Sequence, residues 1–379
     1  DMDKNISIVL GCFYGDEGKG RTVSYLCENA ISNDLKPLVI RFNGGHQAGH
    51  TVVYNGIRHV FSSFGSGTLQ GVPTLWSKYC TVYPIGFVKE YQALLKLGIT
   101  PEIFIDPLCP ITTPYDLLVN RYSNKTLNDG TCGVGFGETI KRHETTPYKL
   151  YFMDLFNDFI LTNKLKSIKQ YHNQDLLNVE FDNLMEQFHN SINYIRNVIK
   201  QDHFKDFDYF KYDELIFEGA QGILLDKDYG LYPNVTYSKT TAKNAISLLM
   251  DNHVVYNITD IDMYYVTRTY QTRHGNGPMP YEQPNMLPFE NETNVTNDYQ
   301  GKFRLGKIDP DSFKYAVKCN EIDTGDSFNV FNNIVITCND QYSNPDILDF
   351  KILNQFGDFD CEYFISHGPE TNNIVKVLK

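Results

Sequence analysis

A chain of 379 residues, 41% hydrophobic and 14% aromatic, can bury a large core, which excludes disorder and allows one large α/β domain or two smaller ones. A formal net charge of −12 excludes a nucleic-acid-binding surface, whose affinity comes from a basic face, and reads as ordinary solubility. No apolar run is long enough to cross a membrane, Asp1-Met2-Asp3-Lys4-Asn5 has no signal-peptide pattern, and the eight cysteines form no C-x-x-C pair, so a soluble cytoplasmic protein with reduced, mostly buried thiols is expected.

In chain order, the apolar run Ile6–Leu10 predicts a buried strand. It leads into Gly11-Cys12-Phe13-Tyr14-Gly15-Asp16-Glu17-Gly18-Lys19-Gly20 and then a helix-compatible segment from Arg21. Glycines let backbone N–H groups approach an anion, and a following helix start adds its dipole, so this stretch is a phosphate-cradle candidate. It is not the common Walker loop. Phe13 stands where that loop has its first glycine, and Gly20 where it has the magnesium-binding hydroxyl. A ligand-free glycine turn would fit the glycines alone, but Asp16 and Lys19 inside it make little sense as packing.

Leu38-Val39-Ile40 predicts a second buried strand, ending at the turn Gly44-Gly45-His46-Gln47-Ala48-Gly49-His50-Thr51. Two polar, glycine-rich turns after two early strands point to one site, because ligands of α/β folds bind past the carboxyl ends of strands. Taken alone, His50 reads as a hydrogen-bonded turn histidine. Residues 51–120 continue as α/β structure with a helix near 87–97, and 130–137 form another glycine-rich loop, suited either to closing over a phosphate or to linking. Residues 148–207 read as a helical insertion. Its stripe Phe181, Leu184, Met185, Phe188, Ile192, Ile195 and Val198 is spaced for core packing and carries no chemistry.

Leu215-Ile216-Phe217 predicts a strand entering Glu218-Gly219-Ala220-Gln221-Gly222, followed by Asp226, Tyr232-Pro233, Val235-Thr236 and Lys239-Thr240-Thr241. Met263–Val266 predicts a strand leading into Thr272-Arg273-His274-Gly275, and Asn332–Asp340 is read as the last central strand. Together these elements predict an α/β fold in one domain over 1–379: a P-loop-NTPase-like, mostly parallel central sheet flanked by helices, with a helical insertion at about 148–207.

Gly15–Gly20, the stretch Arg41-Phe42-Asn43-Gly44-Gly45-His46-Gln47-Ala48-Gly49-His50-Thr51, and above all Phe217-Glu218-Gly219-Ala220-Gln221-Gly222 with the blocks after it resemble adenylosuccinate synthetase, and do so in family order from residue 6 to residue 370. That family joins aspartate to C6 of a 6-oxopurine nucleotide at the expense of a nucleoside triphosphate. The resemblance implies Asp16 as the base for the purine N1 proton, His50 as the acid at the 6-phosphoryl group, and Gln221 as the residue that reads the purine or fixes the catalytic histidine. It implies Mg2+ as cofactor, held by Asp16 and the Gly49 carbonyl. Phosphate and nucleotide contacts carry over to Gly15, Glu17, Gly18, Lys19, Gly20, Gln47 and Thr51 in the first two turns. Further along they carry over to Thr131, Cys132, Thr236, Arg273 and Asp340, and to Ser366, Gly368 and Pro369 in the stretch Phe364 to Glu370, which resembles the family's closing turn. Arg142 matches an arginine that the family sends into a neighbouring subunit, and a homodimer is expected.

The chain departs from the family at Gln47 and Lys239, where asparagine is usual, at Cys132 for threonine, and at Cys338 for a guanine-contacting lysine. In the aspartate loop 296–309 only Arg304 remains of several arginines, with Lys302 nearby; a lysine cannot reproduce arginine's bidentate fork. The rebuilt loop Gln300-Gly301-Lys302-Phe303-Arg304, the loss of the guanine-contacting lysine at Cys338 and the compact length resemble the viral branch of the family that acts on dGMP, with ATP, dATP or GTP as donor. Asp16 instead matches the ordinary branch acting on IMP with GTP. A non-catalytic nucleotide-binding protein would lack Asp16, His50 and Gln221 in combination.

Overall fold

The structure is a computed structural model and describes residues 4–119, 135–172, 179–252, 258–284, 302–338 and 354–377. Its strands are β1 (Asn5–Gly11), β2 (Pro37–Arg41), β3 (His50–Tyr54), β4 (Ile57–Phe61), β5 (Thr74–Trp76), β6 (Ile103–Ile105) and β7 (Glu214–Glu218). They continue with β8 (Asp260–Arg268), β9 (Gln271–His274), β10 (Phe303–Gly306), β11 (Asn329–Thr337), β12 (Glu362–Ser366) and β13 (Ile374–Val377). Nine of them form one sheet in the order β13-β12-β11-β8-β1-β7-β2-β5-β6, parallel throughout except for the antiparallel edge strand β13. This is the mostly parallel α/β sheet that the sequence predicts.

The central strands are apolar on both faces, as a sheet covered by helices on each side requires. Ile6, Ile8 and Leu10 of β1, Leu215 and Phe217 of β7, and Ile334 and Ile336 of β11 join one core cluster. Their intervening neighbours Val9, Ile216 and Val335 face the other way, onto Val23, Leu26 and Cys27 of helix Lys19–Ser32. That alternation is the two-residue period of a strand meeting the three-to-four spacing of a helix. Each buried valine or leucine contributes about 1.5–3 kcal/mol through removal from water.

A third cluster joins helix Pro84–Lys96 to helices Asp158–His172 and Val179–Val198. Phe181, Phe188, Ile192 and Ile195 are buried there, so the stripe in 148–207 is packing, as its spacing predicts. Helix Pro84–Lys96 starts three residues before the expected 87, with Pro84 in its first turn, where a missing N–H costs nothing.

One expectation is corrected. Strand β11 is not the last: Phe364 and Ile365, read as part of a turn, lie in β12, which pairs with β11, and β13 follows it. Five residues before a Gly-Pro turn are too few to show a strand period. Residues 50–61 form the antiparallel hairpin β3–β4, closed by Asn55 and Gly56, both at positive φ (48° and 76°). Asn-Gly between apolar runs is the sequence signal for such a hairpin. Among the described residues, no helix is long and apolar enough to cross a membrane. Seven cysteines are described, all free, six of them buried and Cys338 partly so.

Candidate active site

The chain leaves β1, β2, β7, β8 and β11 at the same edge of the sheet, and the turns that follow enclose a cavity of about 430 Å³. Asp16, Glu17, Gly18, Lys19 and Gly20 line it from the first turn. Gln47, Gly49, His50 and Thr51 line it from the second, and Gln221, Thr236 and Arg273 from later segments. Asn43 ties the second turn to the β7 turn: its side chain donates to the Ala220 carbonyl (3.0 Å) and accepts from the Ala220 N–H (2.8 Å).

The first turn needs its glycines for contact as well as conformation. Gly18 has φ +104°, and a Cβ there would lie 2.6 Å from Thr337 Cγ2; a Cβ on Gly11 would run into Glu17 Oε1. Within the turn the buried Glu17 carboxylate accepts from the backbone N–H groups of Phe13 (2.8 Å) and Gly15 (3.0 Å). Burial pushes Glu17 up to about 7 against the pull of Lys19 and those two donors. Lys19 is itself buried, which lowers its ammonium, while Glu17 and Asp16 oppose the shift. The cradle thus holds one carboxylate of its own beside its cation.

Asp16 sits at φ 58°, a left-handed conformation rare outside glycine and found at functional sites. Neighbouring strands hold that turn through its carbonyls: Arg268 Nε donates to Asp16 (2.6 Å), Thr272 to Gly15 (2.7 Å) and Thr337 to Glu17 (2.8 Å). Burial would raise the Asp16 carboxyl, but the hydrogen bond and charge of His274, with Arg268 and Lys19, hold it below its ordinary value.

His50, closed to solvent at the start of β3, places Nδ1 3.4 Å from Glu218 Oε1. Glu218 also accepts from the Ser66 N–H at 3.1 Å. Burial pulls His50 down to about 4, so the ring is neutral at pH 7. Burial would raise Glu218, yet the His50 hydrogen bond and the nearby Arg41 guanidinium keep it below the usual range. Gln221, at φ 65°, completes the group of polar side chains facing the cavity. The amide Nε2 and Oε1 of Gln47 are buried and have no hydrogen-bond partner among the described residues.

Other sequence candidates lie elsewhere. Arg273 spans the cavity wall, donating to the carbonyls of Pro278 (2.8 Å) and Asn234 (3.1 Å) with its guanidinium 4.4 Å from the Tyr14 ring. Gly15 supports the turn from behind. Ser366 accepts from Arg21 (2.9 Å) and donates to the Gly368 carbonyl, so Ser366 and the Gly368-Pro369 turn touch the cavity through Arg21. Lys302 is exposed, and Arg304 is not among the residues that line the cavity: Nε and Nη2 are each 2.7 Å from the Glu282 carboxylate and Nη1 is bonded to the Gly275 and Gly277 carbonyls. Thr131, Cys132 and Asp340 lie outside the described residues.

The carry-over of Arg142 to a neighbouring subunit is corrected. Its guanidinium is fully buried in its own chain, doubly bonded to Asp116 (3.0 and 2.9 Å) and to the Ile111 carbonyl, which leaves nothing to extend. Lys239, standing for asparagine, is held by Asp226 (2.9 Å), Asp323 (3.0 Å) and Asp228 (3.3 Å) below the segment that carries Thr236.

Sequence reasoning missed Glu218, Arg268, His274 and Arg58. Arg268 ends a central strand, the one local signal that marks it; the others are placed by tertiary contacts.

Fold and site together define a mostly parallel α/β protein in which a glycine-rich turn and acid–base side chains face one cavity. The family model described as adenylosuccinate synthetase matches residues 8–346. The adenylosuccinate synthetase of Blochmanniella pennsylvanica (strain BPEN) is 32% identical over 335 residues, 83% of this chain and 74% of that protein. That of Aliivibrio fischeri is 34% identical over 298 residues, 74% of this chain and 64% of that protein. Among solved structures, the fully ligated adenylosuccinate synthetase from Plasmodium falciparum superposes with TM-score 0.74 at 18% identity, covering 99% of this chain and all (100%) of that one. Cyanophage S-2L succinoaminodeoxyadenylate synthetase (PurZ), bound to dGMP and dATP, superposes with TM-score 0.67 at 17% identity, covering 99% and 96%. The chain belongs to the adenylosuccinate synthetase family, whose members are carbon–nitrogen ligases.

Proposed function

We propose that this protein condenses L-aspartate with C6 of a 6-oxopurine nucleoside monophosphate, driven by a nucleoside triphosphate. The observation that carries the reading is that Asp16, His50 backed by Glu218, Gln221 and the Lys19 cradle face one cavity. Asp16, held ionised, takes the N1 proton, and O6 attacks the γ-phosphorus as the diphosphate leaves. Charge spreads over the transferring oxygens, where Lys19 and the N–H groups of the turn stabilise it. His50, neutral at rest, takes up a proton as negative charge gathers on the 6-phosphoryl oxygens and donates to them, its charged ring stabilised by Glu218, with Gln221 beside it. The aspartate amine then attacks C6, the phosphate leaves with O6, and an N6-succinyl purine nucleotide remains.

Magnesium fits this site as a shared ligand. Asp16 and the carbonyl of Gly49, both residues lining the cavity, would supply hard oxygen donors beside those of the triphosphate. Bound there, it would neutralise triphosphate charge.

The purine is proposed to be dGMP, with ATP, dATP or GTP as donor. What supports this is the pattern of change: the phosphoryl-transfer blocks are kept, while the recognition positions depart at Cys338 and in the loop 296–309. Asp16 favours a second reading, IMP with GTP. The likeness to the cyanophage enzyme is one of fold and does not choose between them. Aspartate is assigned to Arg304, with Lys302 beside it, after exchange with Glu282. The remaining nucleotide contacts are assigned to Thr131, Cys132, Thr236, Arg273, Asp340 and the Ser366–Pro369 turn. A cytoplasmic homodimer goes with this reading. The test is to supply magnesium, aspartate and ATP with IMP, GMP or dGMP in turn and to weigh the product: a succinyl adduct is expected, fastest with dGMP, and phosphate release that ignores aspartate would reduce the protein to an NTPase.

A further inference from the structure

The carboxylate read as the base is not alone. His274, at the end of β9, places Nε2 3.1 Å from Asp16 Oδ2, and both residues line the cavity. The imidazole is held on the other side by Phe303, its cross-strand partner on β10, with ring centroids 4.9 Å apart. The second ring nitrogen, Nδ1, is shut away from solvent and has no hydrogen-bond partner among the described residues. An ionised carboxylate can only accept, so at 3.1 Å Nε2 carries a hydrogen and donates it to Asp16.

We propose that His274 is a positioning residue for the Asp16 base. The inference rests on the reading of Asp16 above and adds a second residue to it. The Asp16 backbone is already fixed at φ 58°, with Arg268 on its carbonyl. The imidazole fixes what remains, the rotation of the carboxylate, by occupying Oδ2 and leaving Oδ1 to face the substrate and the magnesium that the proposed function places there. A carboxylate free to turn would spend part of its time with neither oxygen aligned to the N1 proton, and orientation of this kind is worth more than an order of magnitude in rate. His274 itself exchanges no proton with substrate. Bland packing would explain the contact with Phe303, but any flat apolar ring would satisfy that, and it would not need a donor aimed at Asp16.

The test compares His274→Gln, which keeps a donor of similar reach, with His274→Met, which keeps length and loses the donor. Both are also made in an Asp16→Asn background. The inference expects His274→Met to lower kcat by about tenfold or more with the KM values within about threefold, His274→Gln to recover most of the loss, and His274→Met to cost nothing further once Asp16 is Asn. An adduct-forming wild type with His274→Met within about twofold of it, or additive losses in the double variant, would overturn the inference alone. A wild type that forms no succinyl adduct would overturn the functional reading and this inference with it. Should the methionine variant not fold, the glutamine variant decides: turnover within about threefold of wild type supports the assignment, and a loss as large as that of Asp16→Asn refutes it.

Discussion

His50 Nδ1 faces Glu218 Oε1 across 3.4 Å, with both side chains closed to solvent and the Ser66 N–H on the same carboxylate. The pair spans the sheet edge, joining the start of β3 to the last residue of β7. A ring pulled down to about 4 is neutral at pH 7; it gains a proton only where negative charge gathers, and the Glu218 carboxylate is what would stabilise the charged ring.

Glu218→Gln keeps the shape and removes the charge. Turnover should fall by a factor on the order of 100, with triphosphate affinity by calorimetry changed by less than about threefold. Near-normal turnover would detach Glu218 from the chemistry.

Gly18→Ala places a methyl 2.6 Å from Thr337 Cγ2 on a backbone at φ +104°, in the turn that carries the cradle. Triphosphate affinity should drop at least about tenfold, with a stability loss of roughly 1–3 kcal/mol. Gly71→Ala is the control: φ is +77° but a Cβ there meets nothing within 4 Å, so it should cost about 1 kcal/mol and leave affinity alone.

Glu282 holds the Arg304 fork through two bonds of 2.7 Å. If the aspartate carboxylate exchanges with Glu282, Glu282→Gln removes a competitor and should lower the aspartate KM several-fold, since a neutral amide is a weaker partner for the fork. A raised KM with loss of stability would make Arg304 a tie for the Gly275–Gly277 turn instead.

Glu214, at the start of β7, is pushed up to about 7 by burial and by the nearby charge of Asp262. Its unfolded value is 4.5, so between pH 4.5 and 7 the unfolded chain releases a proton that the folded chain keeps. Stability from this residue is therefore lost as pH rises through that window, and the cost is constant above it. Glu214→Gln should stabilise the protein at pH 8 by on the order of 1–3 kcal/mol and have little effect at pH 4, read from denaturation midpoints.

What is legible in the chain is local. Strands β1, β2 and β7 each run into a turn whose chemistry is contiguous, so glycine spacing and the charges between the glycines mark Asp16, Lys19, His50 and Gln221 from the amino-acid order alone. What those residues touch is not written there. Glu218 reads as one letter of a block until the sheet brings it to His50, 168 residues earlier. His274 reads as a turn residue until β9 lies against the first turn. Arg304 reads as a free carboxylate clamp because nothing in the sequence near it announces Glu282, and Arg142 as a residue able to extend because its burial against Asp116 is a tertiary fact. Strands β12 and β13 escape notice because each is short and close to a turn; the β3–β4 hairpin carries its Asn-Gly signal openly.

The central claim is that O6 of the purine leaves as phosphate oxygen while aspartate nitrogen takes its place. It is tested most directly with 18O-labelled dGMP or IMP, labelled at O6 and incubated with the protein, magnesium, ATP or GTP, and aspartate. The account predicts label in the released inorganic phosphate in one-to-one ratio with succinyl nucleotide, with dGMP turned over more efficiently than IMP. Unlabelled phosphate, released at the same rate whether or not aspartate is present, would contradict it.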